Sequence, residues 1–106
     1  MGADEVFRVE LTMHIHPGRE REFEQTWLRI GEAVTGHPAN IGQWLARSTE
    51  EASTYVIVSD WVDEARFREF ERSERHLAHR QLLHPLRTGG SMATMRVIHH
   101  LPGSRS

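Results

Sequence analysis

The feature that most constrains the fold is an alternation near the start of the chain. Over residues 6–16, apolar and polar residues alternate with a period of two, which is typical of a β-strand with one buried face. The pair Pro17-Gly18 ends this strand. Apolar residues then recur at steps of four, three and four, which predicts one buried helix face made of Phe23, Trp27, Ile30 and Val34. We therefore place a helix from Arg19 to about Val34 and expect Trp27 in the core.

The rest of the chain gives two more strands, helical segments and a last strand. Residues 55–61 are rich in β-branched and aromatic types, and they follow a less regular apolar stretch. Asp63 and Ser73 are suited to cap helices. We predict, in order, strands over residues 40–49 and 55–61, a helix after Asp63, a second helical segment over residues 74–83, a loose turn at Gly89-Gly90, and a strand over residues 92–101.

The order β-α-β-β-α-β predicts an α+β fold of the ferredoxin-like type, with both helices on one face of an antiparallel sheet. At 106 residues, the chain is one domain, with an ordered core of about 6–101 and a tail over 102–106. The other sheet face exposes either Val56 and Val58 or Tyr55 and Ile57. Such an apolar patch indicates a partner. We expect a homodimer in which a second copy covers it.

Composition excludes several classes of chemistry. The chain has no cysteine, which removes disulfides, thiolate nucleophiles and cysteine metal sites. All 13 basic residues are arginines, and without lysine there is no side-chain Schiff base. These arginines are interleaved with acidic residues, so we expect no nucleic-acid partner. No apolar run could span a bilayer and the start, Asp4-Glu5, is acidic, so we expect a cytoplasmic protein without a membrane partner.

One stretch of the sequence resembles a known family. It runs from His37-Pro38 through Ser48 and the strand end Ser59-Asp60-Trp61 to Asp63-Glu64-Ala65, and it closes with Phe70-x-x-Ser73-x-x-His76. This combination is similar to the antibiotic biosynthesis monooxygenase family. The resemblance implies a dimeric α+β barrel with a substrate cavity between sheet and helices. Some relatives oxidise aromatic polyketide anthrones with molecular oxygen and no prosthetic group, whereas others degrade haem.

The resemblance carries over to only some positions. Trp61 matches a strand-end tryptophan of the polyketide oxygenases, and Arg80 falls close to an arginine in their cavity. The asparagine that those enzymes carry four positions before the tryptophan is Ile57 here. The residues of the haem-degrading members fall on Leu11, Phe70 and Arg80 or His79, which do not suit haem. The resemblance therefore implies no cofactor, with oxygen as co-substrate.

The candidate catalytic residues are His76, Arg80 and Trp61. His76 and His79 share a helix face, and an imidazole can take a proton from a phenol or enol and return it. Arg80 can stabilise a developing oxyanion, and Trp61 can stack on an aromatic substrate. The alternatives are that Trp61 packs in the core, that His76 caps or packs the helix junction after Ser73, that His79 is solvated, and that Arg80 forms a surface salt bridge.

The candidate substrate-binding residues are Trp44, Tyr55, His79 and His14. Trp44 and Tyr55 line either the cavity or the dimer seam. His14 and His16 point the same way from the first strand, but His99 and His100 lie at the far end of the neighbouring last strand. We therefore predict no metal site.

From this pattern we predict a cofactor-independent monooxygenase that oxidises an aromatic, anthrone-like polyketide intermediate of antibiotic biosynthesis. Two alternatives remain: a polyketide cyclase that uses the same pocket without oxygen, and a catalytically silent dimeric accessory protein.

Overall fold

A computed structural model describes residues 5–105 of the chain, so Asp4 of the acidic start and Ser106 of the predicted tail lie outside the described residues. The elements follow the predicted order. They are strand β1 (Val6–Ile15), helix α1 (Glu20–Thr35), strands β2 (Asn40–Arg47) and β3 (Thr54–Trp61), helices α2 (Glu64–Glu71) and α3 (Glu74–Leu83), a 3₁₀ turn (His84–Leu86) and strand β4 (Arg87–Val97).

The four strands form one sheet in the order β2-β3-β1-β4, and every neighbouring pair is antiparallel. Helix α1 connects β1 to β2, which lie on either side of β3 in the sheet. Helices α2 and α3 connect β3 to β4, which lie on either side of β1. This is the ferredoxin-like α+β fold predicted from the sequence.

The two faces of the sheet differ in what covers them. Alternate residues of the central strands β1 and β3 point towards the helices, where Val9, Ile57 and Trp61 are buried with Phe23 of α1. The intervening residues point to the other face, which no part of residues 5–105 covers with a helix. Val56 and Val58 are half-buried there. Of the two alternatives from the sequence, the apolar set on the open face is therefore Val56 and Val58.

Side-chain caps fix where α2 and α3 begin. The Asp63 carboxylate accepts a hydrogen bond from the backbone N–H of Arg66 at 2.8 Å. The Ser73 hydroxyl accepts one from the backbone N–H of His76 at 3.2 Å. Both caps satisfy an amide that the helix itself leaves unpaired. The Ser73 cap also fixes the backbone position of His76 on the first turn of α3.

The predicted turn at Gly89-Gly90 is wrong, because both glycines lie inside β4, which starts at Arg87. A Cβ atom on Gly90 would lie 2.4 Å from the backbone oxygen of Thr12 in β1. Glycine is therefore required by the close approach of two strands and not by a turn. The last strand starts five residues before the predicted position at Met92 and ends at Val97, before the predicted end at Leu101.

Among residues 5–105, none of the helices has the length and apolar character needed to cross a membrane.

Candidate functional site

A cleft of about 860 Å³ lies between the helices and the helix-facing side of the sheet. Its volume falls within the range of about 300 to 1,000 Å³ that is typical of small-molecule sites. The sheet contributes Val9, Leu11, Met13 and Ile57, which alternate with outward-facing residues along β1 and β3. The cavity expected between sheet and helices is therefore present, and its floor is apolar.

Trp61 forms part of the cleft wall at the end of β3. Its side chain is 1% exposed, and its indole N–H donates to the Ser59 hydroxyl at 3.0 Å. The ring centroids of Phe70 and Phe67 lie 5.0 Å and 5.4 Å from that of Trp61. Trp61 thus packs in the core and borders the cleft at once, so it can offer a rigid aromatic surface but no free hydrogen-bond donor.

His76 lines the cleft from the first turn of α3 and is half-buried. Its ring centroid lies 4.9 Å from that of Phe70. Burial lowers the pKa of His76, and the nearby positive charge of Arg80 and the imidazole of His79 lower it further, while Glu71 acts in the opposite direction. The shift favours the neutral imidazole, which is the form that accepts a proton.

His79 lies one helical turn further along α3 and also lines the cleft. Its Nδ1 atom is buried and has no hydrogen-bond partner among the described residues. Burial and the positive charge of Arg75 lower the pKa of His79. An unpaired buried ring nitrogen costs free energy, which a bound ligand can recover by hydrogen bonding to it.

Arg80 lines the same cleft, and its side chain is exposed. Its positive charge is one of the causes that lower the pKa of His76. The structure therefore brings together all three predicted catalytic residues, Trp61, His76 and Arg80, and the predicted substrate-binding residue His79 around one cavity.

Three other predicted substrate-binding residues do not line this cleft. Trp44 pairs with Val58 and is 52% exposed on the open face of the sheet. His14 lies on that face as well, with its Nδ1 atom 3.1 Å from the Thr54 hydroxyl. Both point away from the helices because successive strand residues alternate between faces.

Tyr55 points towards the helices, but it lies in the core at one end of the sheet and not in the cleft wall. Its hydroxyl donates to the Glu24 carboxylate, and the Arg47 guanidinium carbon lies 5.5 Å from the centre of its ring. Burial and the Glu24 carboxylate raise the pKa of Tyr55 to about 12. These contacts keep the phenol protonated and its hydroxyl hydrogen-bonded within the protein.

Several cleft residues were not predicted from the sequence. Trp27, expected in the core, is only partly buried and lines the cleft from α1, and Gln43 reaches the cleft from β2. Glu71 and Arg87 contribute charge to it. Arg87 could not be identified because the last strand was predicted to begin after it. His84 also lines the cleft and was missed. Its spacing of four from Arg80, which itself follows His76 by four, was a usable signal, since this spacing places the three residues along one side of a helix.

Among residues 5–105, no group of three histidine, aspartate or glutamate side chains is placed to hold a metal ion.

The sequence matches one family model. Residues 6–82 match antibiotic biosynthesis monooxygenase, which is well over half of the chain.

Two curated relatives come from Streptomyces. The chain is 30% identical over 70 residues to the 42.8 kDa protein in the whiE locus of Streptomyces coelicolor, a match that covers 66% of this chain and 18% of that protein. It is 29% identical over 79 residues to protein SchA of Streptomyces halstedii, covering 74% of this chain and 20% of that protein. The matches thus span about a fifth of the length of these relatives.

Solved structures share the fold. SnoaB, a cofactor-independent oxygenase from Streptomyces nogalater, superposes with a TM-score of 0.80 at 27% identity, and the match covers 95% of this chain and 100% of SnoaB. A putative antibiotic biosynthesis monooxygenase from Caulobacter crescentus superposes with a TM-score of 0.83 at 17% identity, covering 92% of this chain and 93% of that one. The sequence match over most of the domain and the shared fold lead to the same conclusion: the chain belongs to the antibiotic biosynthesis monooxygenase family.

Proposed function

We propose that this protein is a cofactor-independent monooxygenase that oxidises an aromatic, anthrone-like polyketide intermediate of antibiotic biosynthesis, and that it acts as a homodimer. The observation that carries the proposal is the apolar cleft with a half-buried, proton-accepting imidazole in its wall. The similarity to SnoaB, a cofactor-independent oxygenase, supports the same reaction class.

The chemistry begins with removal of a proton from the activated CH₂ carbon of an anthrone. His76 accepts this proton, because its lowered pKa keeps the imidazole neutral at neutral pH. The resulting carbanion transfers one electron to O₂, which gives a substrate radical and superoxide. Their recombination forms a carbon–oxygen bond and a peroxide. The peroxide O–O bond then breaks, one oxygen stays as the quinone carbonyl, and the other leaves as water.

Other cleft residues bind the substrate and stabilise the anion that forms during the reaction. Arg80 stabilises the negative charge that develops on the anthrone oxygen when the carbon is deprotonated. The unpaired Nδ1 atom of His79 can hydrogen-bond to a substrate hydroxyl. Trp61 and Phe70 provide aromatic surface for the fused rings.

Oxygen uptake by the purified protein with anthrone as the probe tests the proposal. We expect one mole of O₂ consumed per mole of anthraquinone formed, with one atom of ¹⁸O from ¹⁸O₂ in the product. His76→Ala should lower the rate by about a hundredfold or more, which is the usual contribution of a positioned base. His99→Ala, at an exposed residue outside the cleft, should not change it. Oxygen uptake that is independent of protein, or equal in the His76 variant, would contradict the proposal.

One observation keeps a second function open. Ile57 lies in the cleft floor, at the position where the family resemblance implies an asparagine, so the hydrogen-bonding group that the resemblance implies is missing there. A polyketide cyclase needs the same base and oxyanion partner but no oxygen. Product formation from a linear polyketide under anaerobic conditions would favour the cyclase.

A further inference from the structure

Two neighbouring strands bring a pair of uncharged polar side chains into the wall of the cleft. Ser59 of β3 and Gln43 of β2 lie directly opposite each other in the strand register, and both line the cleft. Residues in this arrangement have Cβ atoms about 4.5 to 5.5 Å apart. The residues next to Ser59 on the same side of the sheet, Val9 and Ile57, are apolar. The two polar groups therefore form a local hydrogen-bonding site, which we call the Ser59–Gln43 pair.

The Ser59 hydroxyl has a proton that the protein does not use. Ser59 is 8% exposed, and its oxygen accepts the hydrogen bond from the Trp61 indole N–H at 3.0 Å. A hydroxyl group can donate one hydrogen bond in addition to those that it accepts. Within residues 5–105 this hydroxyl donates to no acceptor. A buried O–H group without an acceptor costs free energy, which a ligand recovers by accepting from it.

The Gln43 side chain is oriented by a contact with the helix above it. Its Nε2 atom donates to the backbone carbonyl of Gly31 in α1 at 3.2 Å. Because only the NH₂ end of an amide can donate to a carbonyl, this contact fixes which end of the amide is which. The amide oxygen of the half-buried Gln43 accepts no hydrogen bond from residues 5–105. The pair thus offers one unused donor, from Ser59, and one unused acceptor, from Gln43.

An aromatic wall connects this pair to the proposed base. The Ser59 hydroxyl is bonded to Trp61, whose ring centroid lies 5.0 Å from that of Phe70, and the Phe70 ring lies 4.9 Å from the His76 imidazole. Two aromatic rings therefore separate the pair from His76. A flat ring system that rests on this wall can contact both, so a group held by the pair decides which carbon faces the imidazole.

We propose that the Ser59–Gln43 pair binds a free phenolic hydroxyl of the aromatic substrate, and that Gln43 distinguishes a phenol from its methyl ether. The inference rests on the proposed function, because it names a substituent of the substrate of the same cleft. A phenol accepts from the Ser59 hydroxyl and donates to the Gln43 amide oxygen, so it uses both free positions at once. A methyl ether can accept but has no proton to donate.

Binding of two matched probes to the unmodified protein tests the inference without any turnover. 2-Naphthol and 2-methoxynaphthalene share their fused rings, are uncharged at neutral pH and differ in the phenolic proton. We expect 2-naphthol to bind about fivefold to tenfold more tightly in titration calorimetry, which is the usual effect of one neutral hydrogen bond. Equal affinities, or tighter binding of the ether, would overturn the inference.

A substitution then assigns the preference to Gln43. Gln43→Met keeps the length of the side chain and replaces the amide oxygen by a weak acceptor, so the preference for 2-naphthol should disappear. Gln25→Met is the matched control, since Gln25 is exposed on α1 and lies outside the cleft. The preference should persist in this control. A preference that also survives in Gln43→Met would refute the role of Gln43.

Two variants of Ser59 test the donor. Ser59→Ala should weaken binding of 2-naphthol several-fold, and Ser59→Thr, which keeps the hydroxyl, should restore it. Ser59→Ala also leaves the Trp61 indole N–H without its acceptor, so naphthalene serves as a probe of the aromatic wall. Its binding should not change. Unchanged 2-naphthol binding, or equal weakening of naphthalene, would show that the Ser59 hydroxyl does not bind the phenol.

The inference and the proposed function can fail separately. A preference for 2-naphthol in a protein that consumes no oxygen with anthrone would contradict the oxygenase alone. Oxygen uptake with anthrone in a protein that binds both naphthalene derivatives equally would contradict the phenol site alone.

Discussion

At the scale of single residues, the environment of His76 decides what the cleft can do. The imidazole packs against Phe70, and burial combined with the charge of Arg80 lowers its pKa. Glu71 opposes this shift and His79 adds to it. A neutral imidazole near a permanently charged guanidinium can accept a proton from the substrate, while the guanidinium stabilises the substrate anion that remains.

This coupling predicts a shift in the titration of His76. Arg80→Gln removes a positive charge that lowers the pKa, so the pKa of His76 should rise towards its ordinary value while burial still holds it below. The acid limb of kcat/KM should move to higher pH in the same variant, because a larger fraction of His76 is protonated at a given pH. NMR titration of the imidazole C–H signals measures the shift without substrate.

The control for this prediction is Arg75→Gln. Arg75 affects the pKa of His79 and is not among the groups that shift His76. Its replacement should therefore leave the His76 titration in place. An unchanged His76 pKa in Arg80→Gln would show that the two side chains are not coupled.

At the scale of elements, the pairing of β4 with β1 places two glycines beside the β1 backbone. Gly89 and Gly90 lie inside β4, opposite His14 and Met13. The register shifts between His14 and Ile15, next to the point where β4 begins. A side chain at Gly90 would meet the β1 backbone, but a side chain at Gly89 would meet nothing within 4 Å. The two glycines are thus adjacent in sequence and unlike in their surroundings.

This difference predicts unequal effects of two alanine substitutions. Gly90→Ala should lower the free energy of unfolding by about 1 to 3 kcal/mol, the usual cost of overpacking, because the backbone oxygen of Thr12 cannot move far. Gly89→Ala should change it by less than about 0.5 kcal/mol. Urea denaturation measures both, and equal midpoints would contradict the close approach of the strands.

At the scale of the whole molecule, one face of the sheet lacks a cover within residues 5–105. Trp44 and Met95 are exposed on it, and Val56 and Val58 are half-buried beside them. Asp60 is buried on this face, and its two carboxylate oxygens accept hydrogen bonds from the Arg8 guanidinium at 2.8 and 2.9 Å. An exposed tryptophan and methionine beside other apolar side chains on one face are typical of a protein interface. The homodimer proposed above would cover this face.

The homodimer predicts that a charge on the open face prevents association. Trp44→Glu should raise the dimer dissociation constant by about a hundredfold, because an unpaired carboxylate is costly to bury. Analytical ultracentrifugation measures the change. Leu82→Glu is the matched control, since Leu82 is similarly exposed but lies on α3. A monomeric unmodified protein would contradict the dimer, as would a Trp44 variant that associates normally.

The sequence alone determined the features that depend on neighbouring residues. Alternation in β1, the helical spacing in α1, and the caps at Asp63 and Ser73 act over a few positions, so the order of elements and the ferredoxin-like topology could be predicted from them. The same locality placed His76, His79 and Arg80 on one helix.

Only the tertiary structure decided which of these side chains meet. Trp44 and His14 belong to the open face because the strand register assigns them to it, and Arg87 reaches the cleft because β4 begins earlier than its sequence indicates. Near the start of β4, Gly90 lies close to the backbone of Thr12, a residue far from it in the chain. Contacts between distant residues leave no periodic pattern in the sequence, and therefore the structure was needed to reveal the charge of the cleft.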